Sequence, residues 1–221
     1  MKFFPQIKGV VLNINKEKTN VILGDEEIVL CGTPVISDTM CGNSVEISPR
    51  SFYQVNTPAA EKLYAQAAEF AEPKGKLVLD LYCGAGTIGL SMAAEAEKII
   101  GAEIVPQAVE NAKVNAQRSG FTNAEFICAD AGQAAAELAS KGLKPDVIVL
   151  DPPRKGCDEA TLTACAEMSP ERIVMISCNA ATAARDCKWM QEHGYKAKKA
   201  RAFDLFPRTT HVECVVMLVR C

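Results

Sequence analysis

A cysteine and a glutamate occupy positions in this sequence that suit covalent chemistry. Cys178 follows the apolar run 173–177 and precedes a predicted helix start, where the helix N-terminus would favour a thiolate able to attack a ring carbon. Glu213 lies within an apolar strand, where a carboxylate costs free energy unless it is paired or used as a base. The alternatives are a structural thiol at Cys178 and a solvated edge-strand residue at Glu213, and His211 is a second candidate for the base.

A glycine-rich loop supplies a second group of candidate residues. The segment 80–89 reads DLYCGAGTIG and carries the G-x-G-x-x-G spacing at Gly84, Gly86 and Gly89. Such glycines let the backbone turn sharply and approach a ligand closely. Glu103 ends the next predicted strand, where a carboxylate accepts hydrogen bonds from ribose hydroxyls. The pattern is shared by nicotinamide enzymes and methyltransferases, so by itself it leaves both open.

Two further carboxylates favour S-adenosylmethionine (SAM) over a dinucleotide. Asp80 comes just before the loop, where it suits a cationic amino acid moiety and would repel a pyrophosphate. Asp130 ends the third strand of the main alternation, where it could accept from an adenine amine. The carboxyl ends of parallel strands meet at the ligand-binding edge of such a sheet. We therefore expect Asp80, Glu103 and Asp130 to line a SAM site.

The segment 151–154, Asp-Pro-Pro-Arg, follows the fourth predicted strand of the alternation. Its prolines continue neither a strand nor a helix, so they would hold this loop beside the reactive end of the cofactor. Amino-methyltransferases usually carry an aromatic residue where this sequence has Arg154. The segment therefore argues against methylation of an exocyclic amine.

Alternating strand and helix patterns would position these residues. They predict a doubly wound, mostly parallel seven-stranded sheet, with the last two strands as an antiparallel hairpin at one edge. Residues 1–50 are predicted to form a small β appendage and residues 51–221 the main domain. The predicted strands are 10–14, 20–23, 28–31, 77–81, 98–104, 125–129, 147–150, 173–177, 195–203 and 212–219, and the predicted helices are 59–71, 87–96, 106–119, 131–140, 159–168 and 180–193.

Composition narrows the class of protein. The 221 residues carry a net charge of −3, which counts against a nucleic-acid protein because phosphate contacts favour a basic surface. No apolar run is long enough to cross a membrane and no signal peptide is evident, so we expect a cytoplasmic protein. The ten cysteines include no Cys-x-x-Cys pair. We therefore expect no metal or iron–sulfur cluster, and thiols other than Cys178 in the core.

Taken together, five ordered segments resemble the RNA uracil carbon-5 methyltransferase family. The resemblance covers roughly residues 45–221 and implies a Rossmann-like SAM-dependent methyltransferase fold. It implies an RNA (uracil-5-)-methyltransferase that makes 5-methyluridine in 23S rRNA, in preference to tRNA, through a covalent Cys–uracil adduct, with S-adenosylhomocysteine as product. The segments are 48–56 (SPRSFYQVN), 80–86 (DLYCGAG), 151–154 (DPPR), 177–179 (SCN) and 211–213 (HVE).

The resemblance also implies a role for each matching residue. Cys178 matches the nucleophile and Glu213 the general base. Thr87 departs from the asparagine that is frequent at its position. The implied cofactor contacts are Gln54, Asp80, Tyr82, Gly84, Gly86, Thr87, Glu103, Asp130 and Asp151, and the implied substrate contacts are Phe52, Asp151, Arg154 and Asn179.

The family normally has a longer N-terminal half, with an RNA-binding β-barrel in many members and often four cysteines for an iron–sulfur cluster. We therefore expect weak RNA affinity from this chain and an N-terminal RNA-binding region in a full-length protein. One alternative is an RNA 5-methylcytosine methyltransferase, which the lack of a cysteine beside residues 151–153 disfavours. A non-catalytic SAM-binding module of a larger RNA-modification protein and a nicotinamide oxidoreductase are the others.

Overall fold

Two β-hairpins form the N-terminal part of the chain. The computed structural model describes residues 3–18, 22–49 and 52–221. Strand β1 (Gly9–Ile14) pairs antiparallel with β2 (Glu26–Gly32), and β3 (Ile36–Met40) pairs antiparallel with β4 (Asn43–Ile47). The predicted β appendage is thus present, while the predicted boundary at residues 50 and 51 lies outside the described residues.

The strand predicted at residues 20–23 is wrong where the structure describes it. Ile22 and Leu23 form a bend, and residues 20 and 21 lie outside the described residues. The side chain of Asn15 donates to the carbonyl oxygen of Ile22 over 3.1 Å, and Asn13 bonds both backbone groups of Gly24. These side chains take the backbone groups that a strand would have paired, so β1 pairs instead with the next apolar segment.

The main domain is the predicted seven-stranded sheet with helices on both faces. Its strand order is β10-β11-β9-β8-β5-β6-β7, and β11 runs antiparallel to both of its neighbours. The prediction of a terminal antiparallel hairpin is confirmed. The elements are α1 (Thr57–Ala71), β5 (Leu77–Leu81), α2 (Thr87–Met92), β6 (Lys98–Glu103), α3 (Pro106–Arg118), β7 (Ala124–Cys128), α4 (Ala131–Ser140), β8 (Val147–Leu150), α5 (Glu159–Glu167), β9 (Arg172–Ser177), α6 (Ala180–Glu192), β10 (Tyr195–Phe203) and β11 (Glu213–Arg220).

The central strands are apolar on both sides because each face of the sheet is covered. All four residues of β8 are fully buried. Val147 packs into a cluster with α1, α2 and α3, whereas Ile148 packs into a second cluster with α4, α5 and α6. This explains why β8 reads as a continuous apolar run rather than an alternating one. Among the described residues, no helix is long and apolar enough to cross a membrane.

Helix α2 is shorter than the predicted span 87–96. The helix ends at Met92, and Ala96 forms an isolated antiparallel bridge with Lys74. The side-chain amide of Asn123 donates to the carbonyl oxygens of Ala93 and Ala96, each over 2.9 Å. The side chain of Asn123 thus satisfies two carbonyls in the segment that follows the helix.

The second hairpin is fastened to the main domain beside the glycine-rich loop. The fully buried Asn115 of α3 accepts from the backbone N–H of Glu46 over 2.7 Å and donates to the carbonyl oxygen of Ala85 over 3.0 Å. Arg118, one turn further along α3, forms an ion pair of 2.6 Å with Glu46. One asparagine therefore connects β4 to the loop.

We expect Asn115→Ala to lower the free energy of unfolding by about 1–3 kcal/mol, because it leaves a buried carbonyl at Ala85 and a half-buried N–H at Glu46 without partners. Gln117→Ala is the matched control, since Gln117 is exposed on the same helix and its loss should change stability by less than about 0.5 kcal/mol. Urea unfolding followed by circular dichroism measures both. Equal midpoints for the two variants would contradict this role of Asn115.

Candidate functional site

The candidate residues meet at one edge of the sheet, where the parallel strands end. Asp80 lies on β5, Glu103 ends β6, and Asp151 and Cys178 directly follow β8 and β9. Glu213 reaches the same edge because β11 runs in the opposite direction, so that its first residues lie beside the end of β9. The site therefore needs both the parallel strands and the one reversed strand.

The glycine-rich loop turns sharply between β5 and α2. Gly84 and Gly86 have φ angles of +54° and +79°, and Tyr82, with φ +64°, shares the left-handed region. A Cβ at Gly86 would lie 3.0 Å from the ring of Phe126, whereas a Cβ at Gly84 would meet nothing within 4 Å. At Gly84 it is the backbone conformation, rather than lack of room, that favours glycine, and the loop is open on that side.

Glu103 and Asp130 both bind backbone groups of the site. Glu103 accepts from Gly84 N–H over 3.1 Å and from Val105 N–H over 2.9 Å. Oδ1 of Asp130 caps helix α4 by accepting from the N–H groups of residues 132 and 133. Glu103 thus joins the glycine-rich loop to the next strand end. Asp130 has a capping role that sequence analysis did not predict, and its Oδ2 is left to accept from a ligand amine.

Asp80 is fully buried beneath the loop. Its Oδ2 accepts from Gly89 N–H over 2.9 Å, and a Cβ at Gly89 would lie only 2.8 Å from that oxygen. Among the described residues, no group bonds its Oδ1. Burial raises the pKa of Asp80 to about 7, with Asp151 and Glu103 adding to the rise and the Gly89 bond opposing it. Asp80 thus holds the loop through Oδ2, and its expected contact with a cation stays a prediction.

Asp151, Cys178 and Glu213 influence one another's ionisation. Burial, with the charge of Glu213, raises the pKa of Asp151 to about 7. Burial raises the pKa of Cys178, and Glu213 and Asp151 raise it further, while Arg154 opposes them. Burial and two carboxylates thus outweigh the groups that lower the pKa of this thiol, and its activation by the adjoining helix start stays a prediction. Arg154 supplies the opposing positive charge, a role that sequence analysis did not assign to it.

The structure separates the two candidates for the base. Glu213 is only 5 % exposed and lies between β9 and β10, so the solvated edge-strand alternative is wrong. Burial raises the pKa of Glu213, and Arg154 opposes the rise. His211 is exposed, and its ring lies 6.2 Å from that of Phe206 in an edge-on contact. The position beside Cys178 and Asp151 therefore favours Glu213.

Cys178 is half-buried at the edge of the sheet, unlike the buried Cys165 and Cys187. The hydroxyl of Ser177 accepts from Asn179 N–H over 3.1 Å, which shapes the turn between β9 and α6. The expectation that the remaining thiols are core residues is wrong for three of them, since the exposed cysteines are Cys31, Cys128 and Cys221. Among the described residues, no group of His, Cys, Asp and Glu has the arrangement of a metal site.

Asn179 holds the 151–154 loop in place. Its side-chain oxygen caps α6 by accepting from Ala181 N–H over 3.0 Å, and its amide donates to the carbonyl oxygen of Arg154 over 3.2 Å. Asn179 was expected to bind substrate. The structure gives its side chain this positioning role, which uses the oxygen and one amide hydrogen.

Helix α6 also holds the segment that follows this loop, residues 155–157, through two side chains that were not predicted from the sequence. Arg185 donates to the carbonyl oxygens of Lys155 and Cys157, each over 3.0 Å, and the buried Asp186 accepts from Cys157 N–H over 2.9 Å. Gly156 has φ +78°, and a Cβ there would lie 2.5 Å from the Arg185 guanidinium. The glycine was the only local signal of these contacts, because residues 28 or more positions apart form them.

The remaining predicted residues differ in exposure and in the contacts they make. Phe52 is 75 % exposed and Gln54 is half-buried, while residues 50 and 51 of their segment lie outside the described residues. The Tyr82 hydroxyl lies 3.4 Å from Oγ1 of Thr161, so this side chain turns towards α5. Thr87 opens α2 and shares a hydrogen bond with the buried Tyr64, which sequence analysis did not single out.

We expect the raised pKa of Asp80 to make the protein less stable as the pH rises. Below about pH 4 the group is protonated in both states, and between about pH 4 and 7 only the folded state keeps the proton. One such proton lowers the free energy of unfolding by up to about 1.4 kcal/mol per pH unit. Asp80→Asn should make this decline shallower in urea unfolding across that range. Asp204→Asn, at an exposed position, is the control, and a decline as steep in Asp80→Asn as in the wild type would contradict the assignment.

Comparison with known proteins places the chain in a family. The sequence model of the tRNA (uracil-5-)-methyltransferase family matches residues 10–221. An RNA methyltransferase of Bacillus cereus is 47% identical over 218 residues, which cover 98% of this chain and 47% of that protein. One from Streptococcus pyogenes serotype M18 is 48% identical with the same coverage. This chain thus spans just under half the length of the relatives it matches.

A solved structure agrees with this assignment. The chain superposes on Pyrococcus abyssi tRNA (uracil-54, C5)-methyltransferase in complex with S-adenosyl-L-homocysteine with a TM-score of 0.83 and 30% identity, covering 96% of this chain and 51% of that one. The strand order, the glycine-rich loop and the family match agree with one another. The chain belongs to the tRNA (uracil-5-)-methyltransferase family.

Proposed function

We propose that this chain transfers a methyl group from SAM to carbon 5 of a uridine in RNA, with Cys178 as nucleophile and Glu213 as general base. The observation that carries the proposal is the position of a buried glutamate beside a half-buried cysteine, at the sheet edge that also holds the glycine-rich loop. Membership of the family supports it. This chain has just under half the length of its relatives, so the assignment of their activity to it is part of the proposal.

The residues at this edge fit SAM better than a dinucleotide. Asp80 is buried with Oδ1 unbonded among the described residues, and the raised pKa values of Asp80 and Asp151 show that burial penalises negative charge at this site. A sulfonium cation offsets that charge, whereas a pyrophosphate would add to it. When bound, SAM supplies an electrophilic methyl group. The residues that would hold it are Gln54, Tyr82, Gly84, Gly86, Thr87, Glu103, Asp130 and Asp151.

Cys178 would begin the reaction by adding to carbon 6 of the uracil. Its sulfur forms a bond to carbon 6, and the electrons of the C5–C6 double bond move onto the carbonyl oxygen at carbon 4, which leaves carbon 5 nucleophilic. The thiol proton must leave first, and the carboxylate of Asp151, whose pKa burial raises, is suited to accept it. Arg154 then stabilises the thiolate, since its charge opposes the rise in the pKa of Cys178.

Glu213 would complete the reaction by removing the proton from the methylated carbon 5. The electrons of that C–H bond re-form the C5–C6 double bond, and the bond between sulfur and carbon 6 breaks to release the Cys178 thiolate. Burial suits Glu213 to this step, because a carboxylate of raised pKa is a stronger base. The target base must leave its stack to reach this edge, and the exposed ring of Phe52 is available to stack on it.

The alternative of RNA 5-methylcytosine formation finds little support at this site. It requires a second cysteine beside the fourth strand of the main alternation, β8. Cys157, which follows this strand, is buried, and burial raises its pKa to about 12. Between 23S rRNA and tRNA, sequence analysis favoured rRNA, whereas the family and the archaeal relative are named for tRNA. We propose a uridine in RNA and keep the choice of 23S rRNA as a prediction.

We expect RNA containing 5-fluorouridine to form a stable adduct with this chain in the presence of SAM. Fluorine at carbon 5 cannot leave as a proton would, so elimination stops and the bond from sulfur to carbon 6 persists. The adduct should survive denaturing electrophoresis, and mass spectrometry of tryptic peptides should place it on Cys178. Cys178→Ala should abolish it, while Cys128→Ala, which removes an exposed thiol, should not. An adduct that persists in Cys178→Ala would overturn the nucleophile assignment.

We expect Glu213→Gln to retain covalent addition but to slow release by a factor of about 100 or more, because an amide cannot accept the carbon-5 proton. Unmodified RNA should then accumulate as a methylated covalent complex, seen as a gel shift with the mass of the added methyl group. Glu171→Gln, which changes an exposed glutamate paired with Lys76, is the control. Turnover by Glu213→Gln at close to the wild-type rate would remove Glu213 from the role of base.

A further inference from the structure

Strand β10, at the outer edge of the sheet, is strongly basic. It reads YKAKKARAF, and Lys196, Lys198, Lys199 and Arg201 are all exposed. Among the described residues, no carboxylate forms an ion pair with any of the four. Since the whole chain has a net charge of −3, this strand is a local concentration of positive charge.

A bulge collects these cations on one face of the sheet. Ala197 pairs with Leu218, whereas Lys199 pairs with Met217, so Lys198 is an extra residue in the strand. Leu218 belongs to the core cluster on the α6 side and Met217 to the cluster on the α1 side. The alternation of side chains therefore reverses at Lys198. An unbroken strand would place Lys199 and Arg201 on the face opposite Lys196, but the bulge brings all three to the α1 side.

Helix α1 leaves this part of the sheet uncovered. It packs on β9 and β11, and a groove of about 610 Å³ separates it from β10. Lys62 of α1 lines the groove opposite Arg201, and Pro58 and Phe203 provide apolar wall. Glu69 and Asp204 also line it. Within the groove these two carboxylates balance Lys62 and Arg201, so the excess of positive charge lies along β10 at Lys196 and Lys199, next to the aromatic wall.

Neighbouring side chains hold two of the cations in position. Arg201 donates from Nη1 to Oε1 of the buried Gln66 over 2.5 Å, and its guanidinium carbon lies 5.5 Å from the centre of the Phe203 ring. The Nζ of Lys199 lies 5.8 Å from the centre of the Phe70 ring. Positioned side chains lose less conformational entropy when they bind a ligand than freely rotating ones.

The basic face leads directly to the candidate active site. Phe203, at the end of β10, pairs with Glu213, so the last residues of the strand lie beside the proposed base. Asn56, which lines the groove, donates to the carbonyl oxygen of Leu205 and so connects the segment of Phe52 to the same region. From this end the basic residues extend roughly 20 Å along the strand.

We propose that Lys196, Lys199 and Arg201, with Lys62 across the groove, bind the phosphate backbone of the substrate RNA beside the target uridine. This inference rests on the proposed function and specifies the surface with which this chain binds its substrate RNA. Lysine and arginine are the usual phosphate contacts, and an aromatic wall suits an unstacked base. Lysines also protect an edge strand from pairing with another chain, but that role does not require them on one face.

The test compares the triple variant Lys196→Gln, Lys199→Gln, Arg201→Gln with the equally charged control Lys98→Gln, Lys113→Gln, Lys141→Gln. The control lysines lie elsewhere on the domain and each pairs with a glutamate. Fluorescence anisotropy would measure binding of the whole chain to a fluorescein-labelled RNA stem–loop with a uridine-rich loop, over a series of salt concentrations and without SAM. Three lost phosphate contacts should reduce the slope of log K against log salt by about 2 and weaken binding at low salt by at least about tenfold.

An unchanged slope and affinity in the triple variant, or losses as large in the control, would overturn the inference, as would a wild-type chain that does not bind the stem–loop. If the triple variant proves misfolded by circular dichroism, Lys199→Gln alone should still lower the slope by about 0.7. The covalent adduct with 5-fluorouridine RNA reports separately on the proposed function. If the salt slope depends on β10 but no adduct forms, the RNA-binding surface is supported and the proposed function is not. If the adduct forms but the slope is unchanged, the proposed function is supported and the RNA-binding surface is not.

Discussion

Negative charge confined within one edge of the sheet governs the chemistry of this protein. Asp80 and Glu213 are buried there, Asp151 lies between the strand ends, and each has a raised pKa because burial penalises its ionised form. Neighbouring carboxylates add to that penalty at Asp80 and Asp151. A cationic ligand relieves it, whereas a second anion would increase it. The carboxylates of Glu213 and Asp151 also raise the pKa of Cys178, so the proposed nucleophile, the proposed base and the preference for a cationic ligand share one electrostatic origin.

The structure surrounds this charge with groups that keep the backbone in place. Gly89 donates to Asp80 from within the glycine-rich loop, and Glu103 holds the same loop through Gly84. On the other side, Asn179 and Arg185 hold the loop that carries Arg154, whose charge opposes that of the carboxylates at Cys178. Positioning of this kind matters in a reaction that forms and breaks a covalent bond, because small displacements of reacting atoms are costly.

Charge is distributed unevenly between the site and its surroundings. The interior of the site is acidic and matches a cationic cofactor, while the adjoining edge strand is basic and matches a polyanion. A net charge of −3 therefore does not count against RNA as strongly as it first suggests, since it sums two surfaces of opposite sign. The relatives are about twice as long as this chain.

Sequence alone determined most elements of the main domain and the identity of the chemical groups. The bounds of α4, β8 and β10 are those predicted, and for β8 the reason is a continuous apolar run, which is a local signal. The strand predicted at 20–23 was wrong because side chains took the backbone hydrogen bonds, the hairpin of β3 and β4 was not predicted, and α2 ends earlier than predicted. Only the tertiary structure brought Glu213 beside Cys178, through the reversed direction of β11, and decided that the pKa of this thiol is raised. The tertiary structure also determined the bulge at Lys198, which places Lys196, Lys199 and Arg201 of β10 on one face of the sheet. The burial of a side chain and the electrostatic field around it depend on residues far apart in the chain, so no local sequence pattern could have determined them.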